Sequence, residues 1–257
     1  MNPLRTVWVV LTFELRRAAA LPRLIIMAAL VIFPTALAGL IRHGGGRWNQ
    51  KEIWTLMMFI LVPEVVCLLG LLLWATPVIQ AEVEGKTWPY LAVRPCGKVP
   101  VLIGKYLAAV LWTAAAAWIG LLLSLLVAIP DRDVVQGVLV LVALVGLSSL
   151  AYGALFVLLG VLFLRRGMIV AVAYTFVFEF LVSWIPAMVN QLTVQYHLRN
   201  LLVKWMLLES TPHEFRQMVS DAPPWRHILI LLGMTAAFLT AASLVLRRRQ
   251  LITAPEV

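Results

Sequence analysis

Two carboxylates, Glu64 and Glu179, stand near the middle of long apolar runs. A charge at the centre of a bilayer costs at least about 2.5–3.5 kcal/mol on insertion scales, so each needs a physical reason to be there. One reason is function: a polar pathway, or a grip on substrate or a proton. The other is packing, with a protonated carboxyl hydrogen-bonded to Ser, Thr or Tyr of a neighbouring helix. The residues leave both readings open, and Glu64 and Glu179 are carried forward as intramembrane pathway candidates.

Enzyme chemistry finds less support. An embedded enzyme gathers His, Asp, Glu or Ser at one depth, and neither glutamate has a histidine or acidic partner nearby in sequence. His43, His197, His213 and His227 are scattered and form no H-E-x-x-H or other ligand spacing. Cys67 and Cys96 lie in an apolar run and a polar stretch, which gives neither a disulfide framework nor a metal site. Met57 and Met58 beside Cys67 are common apolar-helix residues rather than a soft-metal path. No catalytic residue and no metal ligand is expected. A membrane-embedded enzyme acting on lipid or peptide stays the alternative reading, with Glu64 and Glu179 as its residues.

The other chemistry-bearing stretch is Gln80 to Lys105, QAEVEGKTWPYLAVRPCGKVPVLIGK. It sets Glu82, Glu84, Lys86, Arg94, Lys98 and Lys105 between two apolar segments, and Gly85, Pro89, Pro95, Gly97 and Pro100 forbid one continuous helix. Those charges can fix register with a soluble partner, while Trp88, Tyr90 and Leu91 can anchor in a groove. An ordinary solvated loop that only sets topology is the plainer alternative.

The elements that carry these residues follow from composition. Of 257 residues, 62% are hydrophobic and only 13% charged, against about 45–50% and about 25% in soluble domains. The apolar residues fall in runs long enough to cross a bilayer, so the chain reads as an all-α integral membrane protein. Six spans can be drawn, near 24–41, 54–79, 101–129, 135–164, 168–189 and 227–246, the fourth being long enough to tilt or break near Gly146 to Gly153. Ahead of them Leu4, Val7, Trp8, Leu11, Leu15 and Ala18 recur at helical spacing beside Arg5 and Arg16, the mark of a helix lying in the membrane interface over residues 1–23. Ala36-Leu37-Ala38 resembles a signal-cleavage site, but the long polar region before it contains Glu14, which argues against a signal peptide.

A net charge of +9 points first to nucleic acid, yet the basic residues sit at the ends of apolar runs, where they orient helices instead. No nucleic-acid partner is expected. Thirteen of the 21 Lys and Arg residues fall on the side that holds both termini and the 80–105 loop, which predicts those parts to be cytoplasmic in the cell's inner (plasma) membrane. On the opposite side, residues 190–226 are too long for a turn. Leu198, Leu201, Leu202, Trp205 and Leu208 form a stripe, and Thr211-Pro212-His213-Glu214 matches a capping box, so two short helices are expected at the outer surface. The whole of 1–257 then reads as one polytopic domain. Trp8, Trp48, Trp54, Trp205 and Trp225 near span ends suit interface anchors.

This order of parts resembles the second type of ABC exporter permease. In the loop, Glu82, Glu84, Gly85, Lys86, Thr87, Leu91, Pro95 and Lys98 are similar to that family's E-x-E-x-G-T…L…P…(R/K) pattern, with Lys86 standing between Gly85 and Thr87 where the family has them adjacent. The resemblance implies a permease that pairs with a second permease chain, identical or different, to form the substrate pathway. It also implies a separate ATPase subunit beneath, in contact with the coupling loop (Glu82, Glu84, Gly85, Lys86, Thr87, Leu91, Arg94, Pro95 and Lys98) and with the interfacial helix at Glu14. ATP and magnesium would sit on that ATPase, since this chain has no G-x-x-x-x-G-K-S/T phosphate loop and no cofactor of its own is implied. Membrane lipid is the remaining expected partner.

Overall fold

A chain this apolar satisfies its backbone polar groups internally, and the computed structural model is accordingly helical throughout the residues it describes, 3–43, 51–88, 90, 97–128, 135–181, 188–206 and 221–248. The helices are α1 Pro3–Ala18, α2 Leu21–His43, α3 Lys51–Phe59, α4 Cys67–Trp74, α5 Gln80–Glu84, α6 Lys98–Ala128, α7 Val135–Leu162, α8 Gly167–Tyr174, α9 Val194–Met206 and α10 Pro224–Arg248. A π-helical turn, Ile60–Val66, joins α3 to α4, and a second, Thr175–Leu181, follows α8.

Among the described residues, five stretches are long and apolar enough to cross a membrane: Leu21–Leu40, Trp54–Glu84, Lys98–Val127, Gln136–Leu162 and Pro224–Arg248. Six were expected from the sequence. The difference lies at the fifth segment, where α8 contributes 8 residues and the π-helical turn 7 before the described residues stop at Leu181.

α7 is the hub. It packs against α4, α6, α9 and α10, and Leu141, Leu144, Tyr152 and Phe156 along it are fully buried. α7 runs unbroken through Gly146–Gly153, where the sequence allowed a break, and it is Gly153 and Gly160 that serve close packing. A Cβ on Gly153 would lie 2.8 Å from Val110, and one on Gly160 would lie 2.0 Å from the Thr76 carbonyl oxygen. Only glycine lets α7 approach the end of the second span this closely. Tyr106 adds a hydroxyl bond to the Leu150 carbonyl at 3.0 Å, linking α6 to α7.

α1 lies along α6, with Thr6, Leu11 and Ala18 turned inward and Leu4, Trp8 and Phe13 exposed. Gly104 permits the contact, since a Cβ there would sit 2.9 Å from the Val7 carbonyl. The interface-anchor reading of the tryptophans divides: Trp8 and Trp225 are exposed, whereas Trp54 is buried. Trp48 lies outside the described residues.

Candidate functional site

The structure gathers the charged candidates into two clusters. The first forms where α1, α5 and α6 meet. Lys105, buried near the start of α6, donates to Glu82 Oε1 at 2.7 Å and to the carboxylate of Glu14 on α1. Arg17 reaches the same Glu82 oxygen at 3.3 Å and lies 3.9 Å from Glu14. Thr87 donates its hydroxyl to the other Glu82 oxygen. Two carboxylates and two cations thus join the N-terminal helix, the loop and the third span through one buried side chain.

The loop turns sharply just after Glu82. The Thr87 N–H bonds the Glu82 carbonyl at 3.0 Å and the Lys86 N–H bonds that of Val83 at 3.2 Å, the paired closure of a helix C-terminus. That closure needs a left-handed residue, and Lys86 supplies it with φ of 54°. The residue that separates Gly85 from Thr87 therefore occupies the position where glycine is commonest.

Exposure divides the loop candidates into two kinds. Glu84, Gly85, Lys86, Thr87 and Tyr90 are exposed, and Glu84 accepts from Gln80 Nε2 at 2.7 Å. Glu82 and Trp88 are buried within the chain, whereas the sequence suggested partner contacts for both. Lys98 is half-buried and donates to the Leu246 carbonyl at 3.3 Å, holding the start of α6 to the end of α10. Leu91, Arg94 and Pro95 lie outside the described residues.

The second cluster lies inside the bundle and unites the two glutamates that sequence could not connect. The π-helical turn at Pro63 carries Glu64, and Ser148 on α7 donates to the Pro63 carbonyl at 2.7 Å. Arg199 on α9 donates from Nε to Glu64 Oε1 at 3.2 Å. Glu179, in the other π-helical turn, accepts from the Tyr152 hydroxyl at 2.9 Å and from the Gln195 N–H at 3.2 Å. That second bond places a carboxylate at the N-terminus of α9, where the exposed N–H groups and the helix dipole favour negative charge. A cavity of about 90 Å³ opens between these groups, closed on its apolar side by Phe59, Leu68 and Leu202.

α9, expected at the outer surface, packs into the bundle with both its apolar and its polar side. Its stripe residues Leu198, Leu201 and Leu202 are buried, but so are Gln195, His197 and Asn200 on its polar face. Thr193 starts it, accepting the Tyr196 N–H on its hydroxyl at 3.3 Å. Arg199, assigned by charge counting to the outside, is the partner of Glu64. The second expected outer helix, with its capping box at Thr211–Glu214, lies outside the described residues.

Sequence reading missed one further pair. His197 and His227 meet with Nδ1 atoms 2.9 Å apart, and His197 Nε2 lies 2.9 Å from the Gln191 carbonyl. Burial holds the His197 imidazole below its usual range. Two histidines on different helices, 30 residues apart, carry no local signal.

A family model described as ABC-2 family transporter protein matches residues 14–182. No curated protein matches the chain. The matched region runs from Glu14 on α1 to the end of the second π-helical turn, and it contains Glu64, Glu82, Lys105 and Glu179.

Proposed function

The chain belongs to the ABC-2 transporter family, whose members are transmembrane subunits without an ATPase domain, and from that premise we propose that it is the permease of an ATP-driven exporter. In this reading it forms the substrate pathway as a dimer with a second permease chain, identical or different. A separate ABC ATPase carries the ATP and magnesium. Both termini and the 80–105 loop face the cytoplasm, and residues 168–189 complete a sixth crossing.

One observation supports coupling above the others: the Glu82 carboxylate and Lys105 ammonium tie α1, the loop and the third span together in a nearly buried network. A push on the loop then moves an interfacial helix and a span as one body, which is what an ATPase closing beneath the membrane requires. Contact with the ATPase falls to exposed residues of the loop, Glu84, Lys86 and Tyr90, the last with 79% of its surface open. An aromatic ring so exposed beside charged neighbours is a typical anchor for a partner pocket. Glu64 and Glu179 belong to the pathway in this account, with Arg199 as the fixed counter-charge.

The test is recovery of the tagged chain from its native membrane in mild detergent, with mass spectrometry of the proteins that follow it. An ATPase subunit is expected with the wild type and is expected to be lost from Glu84→Ala/Tyr90→Ala. No ATPase under conditions that keep other membrane complexes intact removes the transporter reading and returns Glu64 and Glu179 to the enzyme alternative.

A further inference from the structure

A second cavity, of about 210 Å³, opens beside the Glu82 network between α1, the start of α2 and the facing sides of α4 and α6. Its polar groups are mostly donors. Arg23, half-buried at the first turn of α2, lines it, and no described residue pairs with its guanidinium. The Trp112 indole N–H on α6 also lines it, buried and without an acceptor among the described residues. Arg17 stands at the same cavity with 45% of its side chain exposed, so its fork has donors beyond those facing Glu82. Glu14 and Lys105 also line it and are already bound to each other. An unpaired cation and an unpaired buried N–H leave the site asking for an anion with several acceptor oxygens. The other walls are largely apolar and include Ile26, Leu73 and Trp74.

We propose that this cavity binds the phosphate of an anionic phospholipid, with Arg23 and Trp112 donating to its oxygens and an acyl chain lying along Ile26, Leu73 and Trp74. The inference rests on α1 lying in the membrane interface, where basic pockets beside span ends meet anionic headgroups. A zwitterionic lipid fits less well, because its ammonium would face Arg17 and Arg23. The cavity adjoins the coupling network through Arg17, so a headgroup phosphate competes with Glu82 for that guanidinium. Lipid composition then adjusts how firmly α1 is held to the loop.

The experiment is a binding titration on the full chain in detergent with phosphatidylglycerol, phosphatidylcholine and inorganic phosphate as separate ligands. Phosphatidylglycerol is expected to bind about tenfold more tightly than phosphatidylcholine, and Arg23→Gln to remove about that factor. Trp112→Phe, which keeps an aromatic ring and deletes the donor, is expected to lose about threefold. Arg5→Gln, on the exposed face of α1 and away from the cavity, is expected to change nothing. Arg23→Lys, should Arg23→Gln fail to run as a single species, is expected to keep the preference for phosphatidylglycerol over phosphatidylcholine. Equal affinity for the two lipids overturns the proposal, as does an equal loss in Arg5→Gln. Inorganic phosphate binding as tightly as phosphatidylglycerol overturns the lipid assignment. None of these readouts involves an ATPase, so failure here is separable from failure of the permease reading.

Discussion

The cluster around Glu82 and the cluster around Glu64 hold similar groups under opposite conditions. At the α1–α5–α6 junction, two carboxylates face two cations, and Arg17 keeps nearly half its side chain exposed. Inside the bundle, two carboxylates face one arginine among the described residues, and the remaining negative charge is met by a tyrosine hydroxyl and the first turn of α9. The first arrangement is a balanced brace, able to transmit movement because each partner is held from two sides. The second lies in a low-dielectric setting, where each carboxylate is costly unless it is paired and hydrogen-bonded.

The largest effect should come from breaking the inner pair. Arg199→Gln leaves Glu64 buried without its counter-charge and is expected to destabilise the chain by about 3–5 kcal/mol, read as a fall in melting temperature in detergent. Glu64→Gln/Arg199→Gln together should recover most of that loss. A double variant as unstable as the single one would show that the pair's charge balance is not what holds α9 to the second span.

The outer brace should respond less, because each member has a second partner. Lys105→Met leaves Glu14 and Glu82 facing each other with only Arg17 between them and is expected to cost about 2–3 kcal/mol, while Glu82→Gln should cost about 1 kcal/mol. The reverse order would mean that Lys105 is not the centre of the network.

Smaller changes sharpen the picture further. Tyr152→Phe removes one hydrogen bond to Glu179 and is expected to cost about 1–2 kcal/mol. Lys86→Gly relieves a left-handed side chain and is expected to change stability by about 1 kcal/mol or less, in the favourable direction. Acid should act through His197: burial favours its neutral form, so stability is present at neutral pH and lost as pH falls below about 6.5, and His197→Gln should flatten that dependence.

Much of the fold was legible because a bilayer writes itself into sequence as apolar runs, and the Pro- and Gly-broken stretch at 80–105 announced the polar connection between two of them. Distance in the chain hid the rest. Glu64 and Arg199 are 135 residues apart, and nothing in the stripe of α9 says that its polar side also faces a protein interior. The irregularity of the fifth segment was hidden too, since apolar content does not reveal that regular α-helix stops at Tyr174 and gives way to a π-helical turn around Glu179. Glu82 shows the same limit in small: its type and place suggested a surface charge, and only the arrival of Lys105, Glu14 and Arg17 makes it an internal brace.

The central claim is that the loop divides into a brace and a contact surface, and one paired measurement tests it. ATPase capture and transport-stimulated ATP hydrolysis would be read for Glu82→Gln and for Glu84→Ala/Tyr90→Ala in the same native membranes. The account predicts that Glu82→Gln still captures the ATPase but loses stimulation, whereas the surface variant loses capture. Loss of capture by a stably folded Glu82→Gln chain, with capture intact in the surface variant, would contradict it.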